Sequence, residues 1–115
     1  MYNGTFNMNG GSISGNTASR GGGVYNGNSF NMRGGTITGN TAREYGGGVY
    51  GSLAKTGGTI TGYNSDPSNG NVVKDGEGVL ARRGHAVYYS SDRRKETTAG
   101  PDVNLSSSNS NGWDS

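Results

Sequence analysis

The sequence contains no cysteine, and this absence excludes several kinds of chemistry. Without cysteine the chain forms no disulfide, has no thiol nucleophile and lacks the cysteine ligands of structural zinc sites. Its one histidine, His85, has no second histidine with which to share a metal ion. We therefore predict neither a metal nor a cofactor. The lack of cysteine does not select a cellular compartment.

Long apolar runs and a strong net charge are missing as well. Only 28% of the residues are hydrophobic, and no stretch approaches the roughly 18 apolar residues that would predict a membrane span. The net charge of +2 is too small to indicate binding to nucleic acid or to an anionic membrane. The first residues, MYNGTF, have neither the charged nor the apolar region of a signal peptide.

Glycine is abundant, and it occurs within a repeat. The chain has 24 glycines among 115 residues, a level more typical of disordered or low-complexity chains. However, the segments 6–18 and 30–42, FNMNGGSISGNTA and FNMRGGTITGNTA, agree at ten of thirteen positions. GGGVY recurs after 25 residues and GGTITG after 23. Constant blocks joined by connections of variable length are typical of a solenoid, in which successive coils pack on one another.

Most solenoid classes do not fit this repeat. The leucine-rich frame is absent, and glycine interrupts the helical spacing that ankyrin or tetratricopeptide units require. The nine-residue period and recurrent aspartate of calcium-binding repeats are also absent. What remains is a pattern of short strands joined by Gly and Asn turns. We predict an all-β fold, a right-handed parallel β-helix of about three coils with ~24 residues and about three strands per coil, closed by a C-terminal cap.

The repeat also assigns directions to side chains. Phe6, Met8 and Ile13 and their copies are predicted to face inward, because strand residues alternate between the two faces. Asn16 and Asn40 are predicted to form a stacked column that hydrogen-bonds the turn backbone. Two columns of hydroxyl side chains are predicted to face outward: Ser12, Thr36 and Thr59 in one, and Ser14, Thr38 and Thr61 in the other.

The two ends of the chain depart from the repeat. MYNGTFNM matches VYNGNSFNM at 24–32, so the first coil begins part-way round, as in an excerpt of a longer protein. We expect this uncapped coil to follow further coils or to associate end to end with another molecule. Residues 1–62 are predicted to form repeat coils, and residues 63–115 a final coil with a loop inserted within 63–83 and the cap. Four apolar residues of this loop are predicted to fold back over the coils: Val72, Val73, Val79 and Leu80.

Three stretches carry a family resemblance: FNMNGGSISGNTASRGGGVYN, GGTITGNTAREYGGGVYG and GHAVYYSSDRRKETTAGPDVNL. They resemble repeat-rich bacterial surface proteins with adhesin-like β-helical passengers. The GG-x-I and F-x-x-N elements are similar to those of polymorphic outer-membrane protein repeats; Phe6–Asn9 fits the second element and Phe30–Arg33 departs from it. The resemblance covers essentially the whole chain. It implies an extracellular or cell-surface setting and an adhesin or structural role.

Catalysis finds little support in the sequence. A β-helical carbohydrate-active enzyme needs clustered carboxylates on one strand face, whereas the repeats contain one acid, Glu44. We predict no catalytic residue and keep as an alternative a fragment of a polysaccharide lyase or hydrolase whose catalytic coils lie elsewhere. The hydroxyl columns leave ice binding through outward Thr-x-Thr rows as a minor alternative, although threonine is also a common outward strand residue.

Binding is expected where tyrosines recur or where the repeats differ. Exposed aromatic rings bind sugars, although stacked rings also stabilise a strand ladder. The connection Ser19-Arg20 of the first repeat becomes Arg43-Glu44-Tyr45 in the second. Five residues are predicted to contact a ligand: Tyr25, Tyr50, Tyr88, Arg43 and Tyr45. The basic runs at 82–83 and 93–95 suit acidic glycans.

These observations together predict a non-catalytic β-helical module of a bacterial surface or secreted protein. It would act as a structural stalk or an adhesin-like binding surface. Its expected partners are glycans or host or cell-surface proteins.

Overall fold

The computed structural model describes residues 5–25, 29–51, 53–55, 57–63, 66–80, 83–88, 94–95 and 104–105. For 53–55, 94–95 and 104–105 it describes the backbone alone. The described residues form strands and no helix, so the predicted all-β class is confirmed. Tyr2, Arg82 and Arg93 lie outside the described residues, as does most of the predicted cap.

The first two repeats each contribute four strands to the fold, one more than the sequence predicts, and the third contributes five. The first repeat forms β1 (Thr5–Met8), β2 (Ser12–Ser14), β3 (Thr17–Arg20) and β4 (Val24–Tyr25). The second forms β5 (Ser29–Met32), β6 (Thr36–Thr38), β7 (Thr41–Tyr45) and β8 (Val49–Tyr50). The third forms β9 (Leu53–Lys55), β10 (Thr59–Ile60), β11 (Val72–Asp75), β12 (Gly78–Val79) and β13 (Val87–Tyr88). Two short strands follow, β14 (Arg94–Lys95) and β15 (Asn104–Leu105).

Equivalent strands of successive repeats pair in parallel, and identical residues face each other. Phe6 pairs with Phe30, Ile13 with Ile37, and Val24 with Val49. Four sheets result, with the orders β1-β5-β9-β15, β2-β6-β10, β3-β7-β11-β12 and β4-β8-β13-β14. Because neighbouring strands lie ~4.8 Å apart, each inward side chain packs on its own copy. The repeat register predicted from the sequence is therefore confirmed for these pairs.

The core is built from the inward residues of the three repeats. Its buried members are Met8, Val24, Phe30, Met32, Ile37, Val49, Ile60, Ala86 and Val87. Phe6 and Ile13, at the edge of the stack, are only partly buried and pack against this cluster. Each large apolar side chain that is buried contributes roughly 1.5–3 kcal/mol, so the second repeat, covered on both sides, is the most strongly stabilised.

The glycine triplets are explained by the close approach of neighbouring repeats. A Cβ atom added at Gly47 would lie 2.5 Å from the carbonyl oxygen of His85, and one at Gly22 would overlap the carbonyl oxygen of Gly47. Neither glycine has a positive φ, so a side chain is excluded by steric clash with the neighbouring backbone and not by the backbone conformation of the glycine. The backbones of successive repeats are therefore in direct contact at this corner.

The extra residues of the third repeat lie in two places rather than in one loop. Thr59 pairs with Thr36, 23 residues earlier; Val72 pairs with Thr41, 31 residues earlier; and Val87 pairs with Val49, 38 residues earlier. One insertion therefore follows β10, and the other lies between β11 and β13, where β11 and β12 form an antiparallel hairpin. Strand β11 itself belongs to the third sheet.

The apolar residues of this region were predicted to fold back over the coils, and the structure separates them. Val73 is fully buried and Val72 nearly so, because both lie in β11. Val79 is 44% exposed on the hairpin, so its predicted inward position is wrong. Leu80 is partly buried, and its backbone N–H donates to the carbonyl oxygen of Val73.

Candidate functional site

A ladder of stacked tyrosines runs along the fourth sheet. The ring centroids of Tyr25 and Tyr50 are 5.2 Å apart with 16° between the ring planes, and those of Tyr50 and Tyr88 are 5.7 Å apart with 11°. Tyr50 therefore has a ring against each of its faces. A sugar that stacks on an aromatic residue needs an open face, and the ladder offers ring edges and hydroxyl groups instead.

Tyr88 departs from the outward position that the repeat predicts. Its side chain is buried, with 7% exposed. The reason is Tyr45, whose ring lies 4.5 Å from that of Tyr88 at an angle of 37°. Tyr45 comes from the longer connection that distinguishes the second repeat from the first. The ring of Tyr88 thus serves as packing for two other tyrosines rather than as an open surface.

Beside the ladder, β3 and β7 lose their register, which brings three side chains together. Arg20 pairs with Tyr45 across the two strands after a β-bulge that begins beyond Ala18. The Nε of Arg20 donates to Oε1 of Glu44 at 3.0 Å, and both side chains are about half exposed (44% and 51%). The Cζ atom of Arg20 lies 5.8 Å from the Tyr45 ring centroid and 5.6 Å from that of Tyr50.

Arg20 is a permanent cation in this arrangement. The hydrogen bond to Glu44, with a smaller contribution from the nearby Tyr50, holds the pKa of the Arg20 guanidinium above its ordinary value, and partial loss of water opposes this weakly. An exposed ion pair of this kind is screened by salt and adds little to stability. The pair instead fixes the orientation of the guanidinium over the tyrosine rings.

Arg83 adds a second cation beside Tyr45. Its Cζ atom lies 4.8 Å from the Tyr45 ring centroid, within the range of a cation–π contact. Its Nη1 donates to the backbone carbonyl of Glu44 at 3.4 Å. Arg83 lies 63 residues from Arg20 in the chain, so only the stacking of the third repeat on the second brings both cations to one ring. Arg43, also predicted as a ligand contact, is exposed on β7 and forms no hydrogen bond or ion pair with the described residues.

We call this cluster the tyrosine–arginine ridge and define it by seven residues: Arg20, Tyr25, Glu44, Tyr45, Tyr50, Arg83 and Tyr88. It joins four of the five residues predicted from the sequence with two arginines and a glutamate. Within the described part of the chain, no group of three or more histidine, aspartate or glutamate side chains is placed to hold a metal ion.

The outward hydroxyl columns are in register but partly covered. Ser12 pairs with Thr36, and Thr36 with Thr59. In the second column, the hydroxyl of Thr38 donates to the backbone carbonyl of Asn69, which belongs to the first insertion. A flat, regular hydroxyl array of the kind expected for ice binding is therefore interrupted at its centre.

The asparagine column is longer than the sequence predicts. Oδ1 of Asn40 accepts from the backbone N–H and the Nδ2 of Asn16, at 3.0 and 3.1 Å. Oδ1 of Asn71 accepts in the same way from Asn40, at 3.0 and 2.9 Å. Asn71 also donates to the carbonyls of Ile37 and Thr61. Asn71 was not predicted from the sequence because an insertion precedes it, although Gly70-Asn71 repeats Gly39-Asn40.

His85 has a structural position in the third repeat. It is buried, with 2% exposed, and its Nδ1 accepts a hydrogen bond of 2.9 Å from the backbone N–H of Val73. The ring of Tyr63 lies 5.4 Å away. Asp75 is used locally as well, since its Oδ1 accepts from the N–H of Glu77 in the hairpin turn.

Comparison with known proteins returned no relatives. No family model, no curated protein and no solved structure matches this chain. Among the residues that the structure describes, there is no helix whose length and apolar character would let it cross a membrane.

Proposed function

We propose that the chain is a right-handed parallel β-helix and a non-catalytic module of a bacterial surface or secreted protein, with the tyrosine–arginine ridge as an adhesin-like binding surface. The in-register parallel pairing of each repeat with the next in all four sheets supports the β-helix. The right hand follows from the general preference of parallel crossover connections. The resemblance of the repeats to those of bacterial surface proteins supports the extracellular setting.

The β-helix is tested by adding repeats. Each extra copy of residues 25–49, inserted before Tyr50, should lengthen the particle by ~4.8 Å, the spacing of paired strands. Small-angle X-ray scattering on variants with one, two and four added copies measures this increment. If the particle grows with added copies but its longest dimension does not increase by a constant amount for each copy, the β-helix is contradicted.

One observation carries the proposed binding role. The residues that the repeats share are used in contacts between repeats, as the phenylalanine, isoleucine and asparagine pairs show. The residues that distinguish the repeats are Arg20 in the first and Glu44 and Tyr45 in the second. They lie together with Arg83 in one cluster, in which Arg20 and Glu44 are exposed. A side chain that is not required by stacking is free to be selected for binding.

The geometry of the ridge favours a particular kind of ligand. The guanidinium carbons of Arg20 and Arg83 lie 5.8 and 4.8 Å from the centroid of the Tyr45 ring, and the tyrosine rings of the ladder beside them are stacked on one another. Guanidinium groups bind carboxylates and sulfates through paired hydrogen bonds. We therefore expect an acidic glycan, held by charge-assisted hydrogen bonds rather than by stacking of its sugar rings on tyrosine.

The experiment is retention on an array of acidic and neutral glycans. Arg20→Gln and Arg83→Gln should each lower retention of acidic glycans at least tenfold and leave the circular dichroism spectrum unchanged. Tyr50→Phe tests the hydroxyl alone, because it keeps the ring stack. The matched control is Arg33→Gln, at an exposed arginine that directly follows β5 and donates to Asn7 and Asn9. Retention that is unaffected by Arg20→Gln, or that does not fall with added salt, would contradict the proposal.

A further inference from the structure

The sequence contains five Asn-Gly pairs, at 3–4, 9–10, 26–27, 69–70 and 111–112, and the structure describes two of them, Asn9-Gly10 and Asn69-Gly70. Asparagine is a chemically labile residue, most of all before glycine, whose nitrogen is not shielded by a side chain. That nitrogen loses its proton and bonds to Cγ of the asparagine, and ammonia leaves. Water then opens the five-membered imide. The net change turns an amide and water into a carboxylate and ammonium, so water is the only co-reactant.

The Asn9-Gly10 pair is open to this reaction. Both residues are exposed in the turn between β1 and β2, and nothing lies within 4 Å of a Cβ atom added at Gly10. Among the described residues, the N–H of Gly10 has no acceptor and the carbonyl of Asn9 has no donor, whereas the carbonyls on either side, of Met8 and Gly11, accept from the second repeat. The rotation that brings the nitrogen of Gly10 to Cγ of Asn9 therefore breaks no hydrogen bond of their shared peptide group.

The Asn69-Gly70 pair is closed to the same reaction. Gly70 is buried, and its N–H donates to the carbonyl of Asp66 at 2.7 Å. The N–H and Nδ2 of Asn69 donate to the Asp66 carboxylate at 3.2 and 3.3 Å, and its carbonyl accepts from the hydroxyl of Thr38. A Cβ atom at Gly70 would overlap the carbonyl oxygen of Gly62. The reacting nitrogen is thus bonded and enclosed, so the fold opposes the reaction at this pair.

We propose that Asn9-Gly10 is a self-modification site, at which the folded chain converts the asparagine amide into the carboxylate of aspartate or isoaspartate. The second repeat has Arg33-Gly34 at the matching position, so the turn is modified in the first repeat and not in the second. Isoaspartate lengthens the backbone by one carbon atom, and an exposed turn tolerates such a change. The site is distinct from the tyrosine–arginine ridge and requires no ligand.

Arg33 gives the modification a consequence for the contact between the first two repeats. Its Nη1 donates to Oδ1 of Asn9 at 3.4 Å and to Oδ1 of Asn7 at 3.3 Å. Conversion to aspartate places a negative charge beside this guanidinium and lowers the net charge by one, from +2 to +1. The hydrogen bond between two repeats then becomes an ion pair, which is shorter and stronger than its neutral counterpart and which salt screens because it is exposed.

The test follows conversion at both pairs while the full chain is kept in mildly alkaline buffer, which promotes loss of the glycine N–H proton. Mass spectrometry of proteolytic peptides measures conversion at each asparagine, and ion exchange measures the lost positive charge. In the folded chain Asn9 should convert at least about tenfold faster than Asn69, because local structure protects only the second pair. In the chain unfolded by urea, the two asparagines should convert at similar rates.

Two variants separate the chemistry from an effect on folding. Gly10→Ala should slow conversion at Asn9 about tenfold because the added methyl group shields the nitrogen, and it should leave the circular dichroism spectrum unchanged because the site has room for it. The matched control is Gly76→Ala, at another glycine with nothing within 4 Å of an added carbon, and it should leave the rate at Asn9 unchanged. Equal rates at Asn9 and Asn69 in the folded chain would overturn the proposal. A rate at Asn9 that is about tenfold lower in the folded chain than in urea would overturn it as well, since the fold would then protect this pair.

Discussion

Removal of the Asn40 side chain should be among the most destabilising changes available in the fold. The residue is fully buried, and its side chain forms five hydrogen bonds. It accepts two from Asn16, at 3.0 and 3.1 Å. Its Nδ2 shares two hydrogens among three acceptors, the carbonyls of Ile13 and Thr38 at 3.0 and 3.2 Å and Oδ1 of Asn71 at 2.9 Å. Asn40→Ala removes all five.

The size of the stability loss depends on which hydrogen-bond partners of Asn40 can form replacement hydrogen bonds with water. Asn16 is exposed, so water replaces what it loses. The three acceptors on the other side are in or near the interior, and each lost bond there costs ~0.5–1.5 kcal/mol, or about 3 kcal/mol together. A chain of 115 residues at ~0.05–0.15 kcal/mol per residue has roughly 6–17 kcal/mol of stability. Asn40→Ala should therefore remove a large fraction of the free energy of unfolding.

Urea unfolding followed by far-UV circular dichroism measures this loss. The control is Asn31→Ala, which removes an outward asparagine whose Nδ2 donates to Oδ1 of Asn7 at 3.1 Å. This exposed bond should cost no more than ~0.5 kcal/mol. A cost of less than about 1 kcal/mol for Asn40→Ala, or a cost equal to that of Asn31→Ala, would show that the asparagine column does not hold the repeats in register.

Three further predictions concern single positions. Gly47→Ala should cost ~1–3 kcal/mol of stability because its new methyl group would overlap backbone atoms. Gly10→Ala should be neutral, because nothing lies within 4 Å of the added carbon. Equal melting temperatures for the two variants would refute the close-approach argument. His85→Leu should cost ~1–3 kcal/mol by leaving a buried N–H without its acceptor, and a variant as stable as the natural chain in urea would show that another group takes over. Glu44→Gln should lower the urea midpoint only at low salt, and a loss that persists at about 0.5 M NaCl would mean that the ion pair escapes screening.

The repeat register could be predicted because identical residues recur at a fixed spacing. Phe6 and Phe30 can face inward together only when the two copies stack without an offset, and the same holds for Ile13 and Ile37. The pairing of these residues follows from the pattern alone. The direction of the strands follows as well, since each repeat passes through the same series of strands and turns and returns to the same point before its copy begins.

The additional strand of the first two repeats, β3 and β7, could not be predicted from local pattern. Thr17-Ala18 and Thr41-Ala42 directly follow the turn residues Asn16 and Asn40, and a pair of residues is too short to show an alternating pattern. They form β3 and β7 because each pairs with its copy at ~4.8 Å. Strand formation here depends on the neighbouring repeat, which a local reading of propensity does not include.

The ridge was partly predictable. Tyr25, Tyr45 and Tyr50 were identified from recurrence and from the difference between repeats. The burial of Tyr88 depends on where the longer connection places Tyr45, and the approach of Arg83 depends on the length of two insertions. The lengths of the connection and of the insertions do not determine where Tyr45 and Arg83 lie until the strands on both sides of them are paired.

The two insertions of the third repeat show that register in this fold does not depend on the length of chain between paired strands. Asn71 and Val87 reach the same positions as Asn40 and Val49 although eight and then seven extra residues precede them. A scaffold with this property accepts foreign sequence. Peptide epitopes could be grafted between Gly62 and Gly70, or at the Gly76 turn of the hairpin. They would be displayed at a defined position beside the third repeat while the strands keep their pairing.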